Sequence, residues 1–232
     1  MQWVAAGRSV VGGREGNQDA MLVDTEHGVF AVADGVGGGY RGDVASAIGV
    51  AEVSLLPKTE PLTKAFHSAQ KRVLEDAMEN LGQALMGSTL SAIRFDHGNV
   101  ELCHLGDSRC YRYEPPLLRL LTVDHEFYDE ASGGPVLSSY LGLDPALGPI
   151  TLHEDRFPLH GRTAFLLCSD GLYKQLPEAR IVELIEQHQA LGTDTEGPTL
   201  PSVEALVEQL VDEASRVQYS DNVTAVFVSV RR

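Results

Sequence analysis

Four aspartates, Asp34, Asp107, Asp170 and Asp221, each adjoin an apolar run that reads as a buried strand. Val29-Phe-Ala-Val-Ala precedes Asp34, Leu102-Cys-His-Leu-Gly precedes Asp107, and Ala164-Phe-Leu-Leu-Cys-Ser precedes Asp170. Asp221-Asn222 instead opens the run Val223-Thr-Ala-Val-Phe-Val-Ser-Val. Strands that share a sheet bring their ends together, so these carboxylates are expected to converge although the chain separates them widely. Two carboxylates ~4 Å apart repel by about 4 kcal/mol at an effective dielectric near 20. Convergence therefore demands protons or cations. The donors on offer are carboxylate and carbonyl oxygens, with no Cys/His cluster at zinc spacing, which selects Mg²⁺ or Mn²⁺.

Each aspartate taken alone has a plainer reading. Asp34-Gly35-Val36-Gly37-Gly38-Gly39 ends a strand and opens a helix. Its glycines let the chain turn sharply and bring the Gly35 carbonyl beside the Asp34 carboxylate, but a tight Asp-Gly turn explains the same residues. The spacing fits neither a P-loop nor a dinucleotide fingerprint. Asp170-Gly171 and Gly106-Asp107-Ser108 would each be a turn or helix cap in isolation. Their common position beside buried strands, shared with Asp221-Asn222, is what favours a cation site. A competing pattern, Cys103-His-Leu-Gly-Asp-Ser-Arg109, has the Cys-x5-Arg spacing of cysteine-dependent phosphatases. That chemistry needs a cradle of backbone N–H groups beside a low-pKa thiolate. Here Asp107 would put an anion inside the cradle, and the residues from Asn99 to His104 read as a strand interior, so the pattern is expected to be accidental.

The elements that must position these residues read as strands near 2–11, 19–24 and 28–33, followed by helices at 43–56 and 61–82. In the second helix Leu62, Ala65, Phe66, Ala69, Val73, Ala77 and Leu81 recur at helical steps. Strands resume at 88–95, 99–105, 109–113 and 117–121, the first two joined by the turn Asp96-His97-Gly98-Asn99. A strand at 163–168 precedes a helix from Pro177 to His188. A last helix is expected from an N-cap at Ser202 to Val217, and the chain closes on a strand at 223–230. Strands and helices come in groups, which favours an α+β fold with largely antiparallel sheets and helices on the faces; a doubly wound nucleotide-binding sheet is the weaker alternative. The segment from Leu191 to Pro201 reads as a surface loop.

The 232 residues, 43% of them hydrophobic, suffice for one large or two small domains, and no internal repeat is visible. A net charge of −15 with 18 basic residues opposes nucleic acid and anionic membranes as partners. The three cysteines, Cys103, Cys110 and Cys168, all lie in strand-like runs and point to reduced thiols and a cytoplasmic setting. Neither a signal peptide nor a membrane span is expected. Trp3 and the strand aromatics read as core.

Seven short elements occur in one order: Arg14-Glu-Gly-Asn17-Gln18-Asp19, Asp34-Gly-Val-Gly-Gly38, Gly87-Ser-Thr89, Gly106-Asp107-Ser108-Arg109, Asp124-His125, Ser169-Asp170-Gly171 and Ser220-Asp221-Asn222. The series resembles the metal-dependent protein phosphatases of the 2C type, in their compact bacterial form, from about residue 6 to 230. The resemblance implies one catalytic domain over residues 1–232, a central β-sandwich flanked by helix pairs, and a two-metal centre at one end. It further implies that Asp34 bridges two Mn²⁺ or Mg²⁺ ions, that the Gly35 carbonyl serves one of them, and that Asp170 and Asp221 complete the partner ion. Asp107, with Asp170, matches a ligand to a third, weaker ion. Arg14 matches the arginine that grips the substrate phosphate, Asp19 a supporting carboxylate holding waters or Arg14, and Asn222 a residue orienting its neighbouring ligand. The implied reaction is direct hydrolysis of phosphoserine or phosphothreonine by a hydroxide bridging the ions, with no phosphoenzyme.

The implied partners are phosphorylated proteins and the serine/threonine kinase that makes them, with the enzyme acting as a monomer. A phosphatase for an anti-sigma-factor antagonist and a non-catalytic regulatory domain on the same fold are the alternatives. Two departures stand out. Val36 occupies the position where animal members carry a histidine, so the general acid is unassigned, and His125 is as readily a turn histidine as a catalytic one. The segment from His125 to Leu141-Gly142, which includes Ser132-Gly-Gly-Pro135, is shorter than the family's usual flap.

Overall fold

The computed structural model describes residues 2–36, 41–81, 86–192, 197–217 and 220–231. In chain order these form β1 (Gln2–Val10), β2 (Ala20–Asp24), β3 (Val29–Ala33), β4 (Gly35–Val36), α1 (Gly42–Leu55), α2 (Leu62–Leu81), β5 (Gly87–Ser88), β6 (Leu90–Asp96) and β7 (Asn99–Leu105). There follow β8 (Arg109–Glu114), β9 (Leu117–Leu120), β10 (Glu126–Asp129), β11 (Gly134–Leu137), β12 (His153–Pro158), β13 (Thr163–Cys168), α3 (Asp170–Tyr173), α4 (Glu178–Gln187), α5 (Leu200–Ser215) and β14 (Val223–Arg231). Residues 37–40, which include the glycines after Val36, lie outside the described residues, as do 193–196 of the expected surface loop.

Two five-stranded sheets carry the fold, ordered β1-β14-β13-β8-β9 and β12-β7-β6-β3-β2, with every neighbouring pair antiparallel. The period-two alternation of side chains explains their near-continuous apolar sequences, because both faces of the central strands are covered. In β3, Phe30 and Val32 enter the layer between the sheets with Ile93, Phe95, Phe165, Leu167, Val226 and Val228. Val29, Ala31 and Ala33 face the other way, onto Ala45 and Val53 of α1 and Phe66, Ala69 and Val73 of α2. In β13 and β14, Ala164, Leu166, Ala225 and Phe227 point outward to Ile181 and Leu184 of α4 and Val203, Leu206 and Leu210 of α5. The result is four layers, helices, sheet, sheet, helices, an α+β sandwich as the grouped elements suggested.

The structure adds and corrects details. α5 is capped by Thr199, not Ser202: the Thr199 hydroxyl accepts from the Ser202 N–H, and the Ser202 hydroxyl is engaged in turn, a reciprocal capping box. The expected strand at 88–95 is split at Thr89 into β5 and β6. β10, β11 and β12 were not foreseen; they are exposed at many positions, so no apolar alternation marks them. The Asp96–Asn99 turn forms as read, with His97 at φ 44° and Gly98 at φ 87° between the paired Asp96 and Asn99.

The inter-sheet layer is the core that keeps the strand ends in register. Phe165, fully buried with its ring edge-on to Phe95 at 5.7 Å, is a central member. Phe165→Ala should lower unfolding free energy by about 3–5 kcal/mol, measured by chemical denaturation; a loss below about 1 kcal/mol would contradict this account of the core.

Candidate metal centre

The C-terminal ends of β3, β7 and β13 and the N-terminal ends of β8 and β14 meet at one end of the sandwich. A cavity of about 510 Å³ opens there, lined by Arg14, Asp34, Gly35, Thr89, Asp107, Asp170, Asp221 and Asn222 among others. The carboxylates thus converge, through a shared sheet as expected for Asp170 and Asp221, whose strands β13 and β14 pair, but not for Asp34 and Asp107. Asp34 comes from one sheet, Asp170 and Asp221 from the other, and Asp107 from the β7–β8 crossing between them. Pairing of β13 with β14 sets Asp170 beside Asp221, and stacking of the two sheets brings Asp34 and Asp107 to them.

Asp34 is fixed through its backbone. Its N–H donates to Thr89 Oγ1 at 2.9 Å, and its carbonyl accepts from the Thr89 N–H at 2.8 Å and the Ser88 hydroxyl at 3.0 Å. The Thr89 hydroxyl meets Ser108 Oγ at 2.6 Å, tying this anchor to the Asp107 turn. Gly35 donates its N–H to the Gln18 carbonyl at 3.1 Å. A Cβ there would stand 2.5 Å from the Gly42 carbonyl carbon and 2.8 Å from the Gln18 oxygen, so only glycine lets these backbones close. At Gly171 a Cβ would fall 2.1 Å from the Asn222 oxygen, which explains how Asp170 and Asp221 come to lie side by side.

Two cations hold the cavity's acids. Arg14 forks onto Asp221, Nε to Oδ1 at 2.9 Å and Nη2 to Oδ2 at 2.6 Å. Lys174 Nζ donates to Asp170 Oδ2 at 2.6 Å and lies 3.8 Å from Asp107 Oδ2. Asp19 does not line the cavity and does not hold Arg14. It lies behind, its Oδ2 accepting from the hydroxyls of Ser169 at 2.8 Å and Thr224 at 2.6 Å. The part of orienting Asp221 does not fall to the Asn222 side chain either. That amide accepts from the Gln18 N–H and donates to the Val11 and Gly16 carbonyls, fastening the loop that carries Arg14; only its backbone N–H touches Asp221, at 2.8 Å.

The charge remains under-compensated. Burial, then the fields of Asp19, Asp170, Asp107 and Asp221, pushes the Asp34 carboxyl well above its ordinary range. Burial pushes Asp19 up to about 6 against its hydroxyl bonds, with Asp170 and Asp221 adding to the rise. Burial and then Asp170 push Asp107 up to about 6, opposed by Lys174. Asp19 Oδ1 and Asp170 Oδ1 are buried without a hydrogen-bond partner. Among the described residues no three His, Cys, Asp or Glu side chains enclose an ion position as they stand, and Arg14 occupies both oxygens of Asp221. Donor chemistry, the orphaned Asp170 oxygen and the raised carboxyls nonetheless fit hard divalent cations once Arg14 releases Asp221.

Several contributors were not read from the sequence. Thr89 and Ser169 belong to the family-like motifs with no role implied, and Lys174 carries one signal, its position four residues after Asp170. Arg109 forks onto Asp124 and stacks at 3.8 Å on the Tyr173 ring, bracing the Asp107 turn. His125 braces it from the other side: Gly106 N–H donates to its Nδ1 at 3.2 Å, and its own N–H donates to the Gly106 carbonyl at 2.8 Å. The Cys103–Arg109 pattern is accidental. Cys103 is buried in β7 facing the α1–α2 layer, burial pushes its thiol far up, and Arg109 belongs to the other sheet.

The sequence model of the family described as Protein phosphatase 2C matches residues 6–211, and the chain belongs to that family. It is 30% identical over 237 residues to the serine/threonine protein phosphatase PstP of Mycobacterium tuberculosis, covering 94% of this chain and 43% of that protein. The chain therefore spans less than half the length of this relative. It is also 30% identical over 189 residues to the serine/threonine phosphatase stp of Listeria innocua, covering 71% of this chain and 74% of that one. The crystal structure of the catalytic domain of PstP in complex with two manganese ions superposes with a TM-score of 0.78 at 25% identity, covering 99% of both chains.

A carboxyl whose folded-state pKa is raised costs stability above that pKa and returns it as pH falls. His104 acts in the opposite sense. Buried and pushed down to about 3, it contributes stability above its ordinary 6.5 that is lost on acidification. Comparing Mn²⁺-loaded with EDTA-treated protein cancels the histidine. Mn²⁺ should raise Tm more at pH 7.5 than at pH 5, where protons compete for Asp34. Equal Tm gains at both pH values in differential scanning calorimetry would contradict the carboxylate account.

Proposed function

We propose that this chain is the catalytic domain of a metal-dependent phosphatase that hydrolyses phosphoserine and phosphothreonine in proteins. The observation that carries the reading is the set of converged, under-compensated carboxylates from Asp34, Asp107, Asp170 and Asp221 around one cavity, with the Arg14 guanidinium at its mouth. Membership of the family and likeness to proteins named as serine/threonine phosphatases support it.

Asp34, the Gly35 carbonyl, Asp170 and Asp221 would hold two Mn²⁺ or Mg²⁺ ions. Such ions, when bound, supply a nucleophile at neutral pH and charge to neutralise phosphoryl oxygens. Asp19 keeps the Asp170 turn in place through Ser169. Arg14, with 59% of its side chain exposed, has the freedom to leave Asp221 and present its planar fork to two phosphate oxygens. The same movement frees Asp221 Oδ2 and leaves Oδ1 held only by the Asn222 N–H, so the residue that grips substrate also uncovers a ligand. The active form acts on products of a serine/threonine kinase. Three free, buried cysteines fit a reducing, cytoplasmic setting, and no helix among the described residues is long and apolar enough to cross a membrane.

Purified protein should release phosphate from a phosphothreonine peptide and p-nitrophenyl phosphate with Mn²⁺ or Mg²⁺ and lose that activity in excess EDTA. Asp34→Asn should cost about 10²-fold or more in kcat, while Arg14→Ala should act mainly on KM, by roughly tenfold. Cys103→Ser should leave both unchanged. Activity that persists in EDTA and vanishes in Cys103→Ser would overturn the assignment, and a folded chain inert with every metal would point to a binding domain.

A further inference from the structure

Lys174 is the C-cap of the short helix α3, where its N–H donates to the Asp170 carbonyl at 3.0 Å. That backbone bond places the lysine side chain one turn from Asp170, and the ammonium reaches Asp170 Oδ2 at 2.6 Å while standing 3.8 Å from Asp107 Oδ2. Both carboxylates are largely withdrawn from solvent, with 19% and 13% of their side chains exposed. Asp170 is therefore divided. Oδ2 is held by lysine, and Oδ1 is buried and unpartnered.

We infer that Lys174 is a resident cation that fills the gap between Asp107 and Asp170 and restricts this centre to the ions served by Asp34, Asp170 Oδ1 and Asp221. The inference rests on the two-ion reading above. A dication placed between Asp107 and Asp170 would stand within a few ångströms of the ammonium, and two positive charges at that range in a partly buried site repel strongly. It would also have to take the Asp170 oxygen that Lys174 holds. The tether makes the ammonium hard to displace, because it does not dilute away as a free ion does. Two consequences follow. The weaker extra ion that the resemblance implied at Asp107 has no room here, and Asp107 serves as a counter-ion to Lys174. Asp170 is held in one orientation with its free oxygen available, which makes Lys174 a positioning residue as well.

The test is stoichiometry, read without turnover. Equilibrium dialysis against Mn²⁺ followed by elemental analysis should find two ions on the wild-type chain and three on Lys174→Met, the additional one bound at least about tenfold tighter than any third-site binding on wild type. Lys174→Arg should stay at two, and Lys174→Met combined with Asp107→Asn should return to two. If Lys174→Met does not fold, as judged by circular dichroism, Lys174→Gln takes its place. Two ions on every variant, or three already on wild type, would overturn the inference while leaving the phosphatase reading standing. No bound Mn²⁺ on wild type, together with no Mn²⁺-dependent hydrolysis, would sink both.

Discussion

The structure depends on an electrostatic debt at one end of a sandwich. Burial, with the fields of neighbouring aspartates including Asp170 and Asp221, raises the carboxyls of Asp19, Asp34 and Asp107 there. Such an arrangement is unfavourable by itself. It is tolerated because the apolar layers of the sandwich fix the strand ends from which the acids project. The rest of the site compensates in three ways: protons favoured by raised carboxyls, the Ser169 and Thr224 hydroxyls donating to Asp19, and the two basic residues at the cavity. Divalent cations are the compensation that also does chemistry.

Both sheets are needed to assemble the cluster, and their coupling is local. The Thr89–Ser108 hydroxyl contact joins the Asp34 anchor on one sheet to the Asp107 turn that leads into the other. Ser169 links Asp19 in the loop before β2 to the start of α3, while Asn222 ties the opening of β14 to the Arg14 loop. Each link is a short polar bond between segments far apart in the chain, and each is shielded by the inter-sheet and helix layers. Positional precision in the site is therefore a product of core packing, since small shifts of one sheet over the other would break several of these bonds together.

The two basic residues differ in ways that match their chemistry. Arg14 is the more exposed, sits on a loop, and meets Asp221 with a planar fork suited equally to a phosphate. Lys174 is a point charge on a short helix, more withdrawn, and shared between two carboxylates. One is built to exchange partners and the other to stay.

The grouping of strands and helices, the apolar faces of α2 and the central strands, and the oxygen-rich residues at strand ends are legible in the sequence. These follow from local periodicity and from residue chemistry, which survive without knowledge of distant contacts. It placed the N-cap of α5 wrongly at Ser202 because serine at N3 of a capping box carries the same signature as serine at the cap. It missed β10 to β12 because exposed and edge strands lack apolar alternation. Tertiary packing alone settles that Asp34 and Asp107 meet Asp170 and Asp221 across two stacked sheets, that Asn222 serves the Arg14 loop, that Cys103 and Arg109 are parted into different sheets, and that Lys174 stands between Asp107 and Asp170. Those facts are relations between segments as much as two hundred residues apart, and long-range packing fixes them through the mutual burial of strand faces, a quantity no local stretch of sequence contains.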